Sequence, residues 1–216
     1  MAVSRVAALA VGLALLCPAA SAAVRERLDL MPLPRGALGP GTSGLRLARD
    51  SGVVSNAYAA DSAGNGYTAA DLAKLGRVTG YTLDYLLPDP AGSQPHELLR
   101  VQTDAELYRD RATATRGLAF WRGLTRRLAG RQNGATVAVS PFGAHVGDGS
   151  FAFELTYRTA GPPFAYVGDV VFRLGRLVGA VFVTATDDSE LRARTLQLAD
   201  KLAIRMRRVL AGQIRH

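Results

Sequence analysis

The sequence predicts an α+β fold: an antiparallel sheet of about six strands, in the order β-β-α-β-β-β-β-α, covered by two long amphipathic helices. Three observations carry this. Apolar and polar residues alternate in several short runs after residue 77. Two longer stretches instead repeat their apolar residues at helical spacing. The connections between consecutive strand candidates are short and rich in turn residues, which favours antiparallel neighbours.

The first 22 residues read as a cleavable secretory signal. Arg5 supplies the positive start, Val6 to Leu16 is an apolar run, and Ala20, Ser21, Ala22 and Ala23 are small enough for cleavage after Ala22 or Ala23. The run falls short of the ~20 apolar residues that span a bilayer. Cys17 would suit a lipid anchor, but Leu16 before it is not small, so simple export is the expectation. Cys17 is the chain's one cysteine and leaves with the signal. The exported form thus has no disulfide, thiol catalyst or cysteine metal site. The expected location is secreted or extracytoplasmic, without a transmembrane segment after cleavage.

Residues 23–66 read as a loop-rich arm, because Pro32, Pro34, Gly36, Gly39, Pro40, Gly41 and Gly44 interrupt any period. Residues 67–216 read as a single domain. It opens with a short helix over Thr68 to Leu75, which Thr68 caps and Gly76 ends. Tyr81, Leu83, Tyr85 and Leu87 alternate as a strand, Pro88 to Gly92 turns the chain, and residues 96–102 are a second strand. Thr103 and Glu106 have the spacing of a capping box, so the first long helix is expected from Thr103 to Gly130, burying Leu107, Ala114, Leu118, Trp121 and Leu128. Four strands follow, at 135–140, 151–158, 165–174 and 177–185, the last two joined tightly through Gly175 and Arg176. The second long helix is capped by Asp187, buries Leu191, Leu198, Leu202, Met206 and Val209, and ends at Gly212.

With these elements placed, residues 77–212 resemble PsbP-type domains, the extrinsic photosystem subunits and their relatives. The likeness rests on the element order and on a Gly-Asp pair before an apolar strand, here Val146-Gly147-Asp148 before Phe151-Ala152-Phe153. It implies a non-enzymatic binding or accessory domain and no catalytic residue.

The residues themselves lead to the same expectation. Gly39-Pro40-Gly41-Thr42-Ser43-Gly44 spells G-x-G-x-x-G, but no strand precedes it and no helix follows, so it reads as a loop. Asp61, Asn65, Gly66 and Asp71 resemble a calcium loop, yet Ala63 and Leu72 occupy two ligand positions. His96, His145 and His216 lack metal-ligand spacing. No cofactor or metal is expected. Tyr81, Tyr85, Tyr108, Phe120 and Trp121 read as core packing, with a pocket as the alternative. One enzymatic alternative remains: a hydrolase using the Gly143–Ser150 loop, with His145, Asp148 and Ser150 as its polar groups.

Charge is the most informative pattern. Without Arg5 the chain has 25 basic and 18 acidic residues. The excess falls in residues 103–131 and 187–216, and the remainder is balanced. Arg194, Lys201, Arg205 and Arg208 share one solvent stripe of the second long helix, and Arg122, Arg126 and Arg127 lie on the first. These seven are the expected binding residues, with no catalytic residue among them. Their expected partner is an anionic envelope component or an acidic protein. Nucleic acid is not expected for an exported chain without exposed aromatics between the cations. If the helices share a sheet face, their cations merge into one surface; on opposite faces they make two.

Overall fold

The computed structural model describes residues 27–63, 66–89, 97–132, 134–158 and 163–215. The expected signal, His96 and His216 lie outside the described residues. Nine strands form one antiparallel sheet: β1 (Arg46–Leu47), β2 (Gly52–Val54), β3 (Arg77–Leu86), β4 (Leu98–Tyr108), β5 (Gly130–Gln132), β6 (Ala135–Phe142), β7 (Ser150–Arg158), β8 (Pro163–Leu174) and β9 (Leu177–Ala185). The spatial order is β1-β3-β4-β9-β8-β7-β6-β5, and β2 also pairs with β3. Four helices are described: α1 (Asn56–Ala63), α2 (Ala69–Leu75), α3 (Arg111–Arg127) and α4 (Leu191–Leu210). None of them is long and apolar enough to cross a membrane.

The six long strands and two long helices follow the expected order, and β1, β2 and β5 extend the sheet at its edges. The largest correction concerns residues 103–110. Thr103 and Glu106 do not cap a helix; both lie in β4, which runs to Tyr108. Helix α3 starts at Arg111, where the Asp110 side chain accepts from the Thr113 amide and the Thr113 side chain accepts from the Asp110 amide. Helix α3 therefore carries five arginines and no carboxylate. The second correction is at α4: Asp187 does not cap it, but accepts from the Ser189 amide and hydroxyl in the preceding turn. Helix α2 forms as the sequence predicts, with Thr68 and Asp71 in a capping box and Gly76 left-handed at its end.

The sheet is covered on both sides. Alternate residues of a strand face opposite ways, so Val101, Ala105 and Leu107 of β4 join Val181 and Val183 of β9 under α4, where Leu198, Leu202, Met206 and Val209 are buried. The other set, Arg100, Gln102, Asp104, Glu106 and Tyr108, faces α3. There Phe151, Phe153, Leu155, Val171 and Val178 pack with Ala114, Leu118, Trp121 and Leu128. Helices α1 and α2 lie beside α3 and bury Ala59, Ala60 and Leu72 against Phe120. The cations of α3 and α4 are thus on opposite sides of the sheet.

Residues 27–45, read from sequence as part of a loop-rich arm, are built into the α4 side. Leu28, Met31, Leu33, Leu38 and Leu45 are buried in the same apolar cluster as α4. Helix α4 holds the backbone of this segment with its long cationic side chains. Arg205 Nε donates to the Leu30 carbonyl at 2.7 Å, Lys201 Nζ to Ala37 at 3.2 Å, and an Arg194 guanidinium nitrogen to Pro40. The Leu33 amide donates to Thr103 Oγ1 at 3.1 Å, and Arg27 Nη1 to the Val209 carbonyl at 3.0 Å.

Candidate functional site

A cavity of 550 Å³ lies between α3, α1 and the sheet face formed by β3, β4, β9 and β8. Its lining is mostly apolar, with Leu124, Leu128, Leu155, Val171, Val178 and Phe182 among the contributors. Across this lining runs a row of ionisable groups contributed chiefly by β4. Asp84 receives both Arg100 Nε and Nη2, at 2.8 and 2.9 Å. Arg100 Nη2 also donates to Gln102 Oε1 at 2.6 Å. The Gln102 amide nitrogen in turn lies 3.1 and 2.9 Å from the two oxygens of Asp104.

A second group sits one step along the strand. Glu106 Oε1 accepts from Arg77 Nε at 2.8 Å. Its other oxygen accepts from Trp121 Nε1 at 2.9 Å and from the Tyr108 hydroxyl at 3.0 Å. The Arg77 side chain is wholly buried and also donates to Asn56 Oδ1 and the Val54 carbonyl. Burial and the neighbouring Glu106 charge hold the Tyr108 phenol well above its usual range. Gly117 makes this packing possible: a Cβ there would lie 2.3 Å from the Tyr108 ring.

Asp169 stands apart from both groups. It enters the same cavity from β8, only 2% exposed. The Thr125 hydroxyl donates to Oδ2 at 3.0 Å, and Oδ1 is buried without a partner. Burial pushes its pKa up to about 7; Thr125 opposes the shift and the Asp104 charge adds to it. Burial likewise pushes Asp104 up to about 6, opposed by Thr82 and Gln102 and reinforced by Glu106. Ala180 of β9 pairs with Asp104 on one side and with Val171 on the other, and its neighbour on the same face, Phe182, pairs with Asp169. The small Ala180 therefore leaves room over the floor between the two carboxyls.

The sequence-expected binding residues are elsewhere. Arg194, Lys201 and Arg205 are partly buried under residues 27–45, in the contacts given above. Arg208 is exposed on α4. Arg122, Arg126 and Arg127 are exposed on α3, with Arg126 over the Phe153 ring at 5.8 Å and Arg127 over Tyr67 at 6.0 Å. The two sets are not brought together. In the Gly143–Ser150 loop, Ser150 Oγ donates to the Ala144 carbonyl and accepts from the Val146 amide. Asp148 binds Arg173 and accepts from the Gly175 amide, which chiefly holds its pKa below the usual range. His145 is exposed and makes no hydrogen bond to either among the described residues. These groups hold the loop and do not form a nucleophile–base pair.

The cavity acids were missed from sequence because residues 103–107 read as a helix. A signal was present: Arg100, Gln102, Asp104 and Glu106 alternate with Val101, Thr103, Ala105 and Leu107, the period of a strand. Asp169 carries its own signal, a lone carboxylate inside an apolar strand run.

A sheet covered on both faces by helices, with the cavity on one side, defines an α+β fold. The chain is similar in fold to the extracellular domain of PknH from Mycobacterium tuberculosis, with a TM-score of 0.56 and 14% sequence identity over 82% of this chain and 95% of that one. No protein-family model and no curated protein matches the chain.

Proposed function

We propose that this chain is an exported binding domain whose ligand occupies the cavity beneath α3. One observation carries the reading: a 550 Å³ space, apolar over most of its lining, contains Asp169 with a buried oxygen that none of the described residues satisfies. Ligand sites are concave, mainly apolar and furnished with a few convergent polar groups, and titratable residues with shifted pKa values gather there. The fold likeness to an extracellular domain supports export, as does the sequence of residues 1–22. The element order shared with PsbP-type domains supports an accessory or binding role over catalysis.

Filling the space tests the reading. Ala180→Phe would occupy the floor between Asp104 and Asp169. Wild-type protein should show a thermal upshift and a change in Trp121 emission with at least one member of a panel of small amphiphiles. The variant should stay folded and show neither. A panel that moves neither protein sinks the proposal.

A second reading keeps an anionic partner for the basic faces. Arg122, Arg126, Arg127 and Arg208 are exposed and form no salt bridge among the described residues. Contacts of this kind weaken as salt screens them, over ~8 Å at physiological ionic strength. Sedimentation with anionic vesicles at low and high salt tests it; absent or salt-insensitive binding removes it.

A further inference from the structure

The sign of charge inside the cavity is opposite to that of the molecule. The chain carries a formal +8, yet the cavity is lined by Asp50, Asp84, Asp104, Glu106 and Asp169 against only Arg77 and Arg100. Those two guanidiniums are already matched, Arg77 by Glu106 and Arg100 by Asp84. The carboxyls left without a cation are Asp104 and Asp169 in the interior and Asp50, which accepts from Tyr58 at the exposed end. Arg77 also keeps one buried nitrogen unpartnered, but its charge is balanced at 2.8 Å, so that nitrogen asks only for a hydrogen-bond acceptor. Among the described residues Asp169 has neither a counter-ion nor a partner for Oδ1.

A buried carboxylate without a counter-ion is expensive, and a group in that position either binds a proton or recruits a cation. The surroundings decide what kind of cation. The walls are side chains such as Leu124, Leu155, Val171 and Phe182, and among the described residues no three carboxylates, histidines or cysteines gather closely enough to hold a metal ion. A bare metal ion would find one carboxylate and the Thr125 hydroxyl that already donates to it. A charged nitrogen on an apolar body matches both parts of the lining.

We propose that the cavity binds an organic cation, an ammonium or amidinium on an apolar body, with Asp169 as counter-ion and Asp104 as a second negative charge on the same floor. This rests on the cavity reading above and adds the class of ligand. The strands of the sheet are ~4.8 Å apart, which puts these two carboxyls on the order of 10 Å from each other across β9. An aliphatic or aromatic amine spans part of that floor, with its charged end at Asp169 and its body under Leu124 and Leu128.

Binding by a cation selects the ionised carboxyl, so it strengthens as Asp169 loses its proton. The charged and titratable groups facing Asp169 and Asp104 are Glu106 and Arg100 on β4, Asp84 and Arg77 on β3, and Tyr157 on β7, with the hydroxyls of Thr82 and Thr125 beside them. Strand β9 presents Val178, Ala180, Phe182 and Thr184 there, none of which titrates.

The chain's one tryptophan, Trp121, lines the cavity and reports directly. Decylamine, decanol and decanoate would be titrated, below their aggregation limits, against wild type, Asp169→Asn and Asp104→Asn. The amine keeps its charge at about pH 5.5 and at about pH 8, whereas an acid with a pKa near 7 does not. Decylamine should bind wild type on the order of tenfold more tightly at the higher pH, more tightly than decanol there, and decanoate least. Asp169→Asn should abolish the pH dependence and the preference over decanol, and Asp104→Asn should weaken both. Equal affinity for amine and alcohol at both pH values overturns the cation inference alone and leaves the cavity reading standing. If none of the three probes perturbs Trp121, both fail. The wild-type comparison decides the matter even if neither variant folds.

Discussion

Single atoms decide two properties of this molecule. The first is Asp169 Oδ1, buried and unpartnered. An aspartate in an unfolded chain ionises near 3.9. In the folded chain Asp169 holds its proton up to about 7 and Asp104 up to about 6. The native state therefore binds more protons than the unfolded state between these limits, and stability falls as pH rises from about 4 to about 7. Each pH unit of separation corresponds to about 1.4 kcal/mol. Without ligand, wild-type Tm should decline over that window, and Asp169→Asn should flatten the decline and be the more stable form at about pH 8. A Tm that climbs across the window would contradict it. The second is the missing Cβ of Gly117. Alanine normally improves a helix interior by up to ~1 kcal/mol. Here its methyl would enter the Tyr108 ring, which Glu106 and Trp121 hold in place. Gly117→Ala should instead cost about 1–3 kcal/mol and shift Trp121 emission, read by denaturant unfolding.

At the scale of elements, the start of α3 shows where sequence patterns compete. Thr103-x-x-Glu106 and Asp110-x-x-Thr113 both offer reciprocal side-chain and backbone bonds. The second pair caps the helix, because residues 98–108 alternate and so fit between β3 and β9, with apolar residues toward α4. Tertiary pairing outweighed a local motif. Asp110→Ala should lower stability by ~1 kcal/mol through loss of the cap. Thr103→Ala should leave α3 intact and act on the contact with the Leu33 amide, visible as faster hydrogen exchange at Leu33. Five of the six long strands were legible because period-two alternation and turn residues are local signals, and β9 was read at its observed limits, whereas β4 was cut off at residue 102 by the competing helix reading. The short β1, β2 and β5 were not, since two or three residues carry no period. The cavity was illegible for a different reason. It is assembled from β3, β4, β8, β9, α1 and α3, and nothing local in Asp84, Glu106 or Asp169 announces that they share one space. The sequence put Arg194, Lys201, Arg205 and Arg208 on one solvent stripe of α4, whereas the structure half-buries the first three against carbonyls that lie more than 150 residues earlier.

For the whole molecule, the α4 side is a joint between the two ends of the described chain. Met31 and Leu33 are buried against the same cluster as Leu202 and Met206, and Arg205 reaches Leu30 across 175 residues of sequence. Truncating a fully buried side chain such as Met31 to alanine costs ~2–5 kcal/mol. Met31→Ala should therefore lower the urea midpoint of the entire transition, not merely loosen residues 27–45. A separate early melt of that segment would show the joint to be superficial. The joint also imposes an order of events. Closing contacts between the first and last parts of a chain is entropically the slowest kind of assembly. A nascent polypeptide emerging from the ribosome cannot seat Leu28 to Leu45 until α4 has been synthesised, so the apolar side chains of that segment wait uncovered until the last helix arrives.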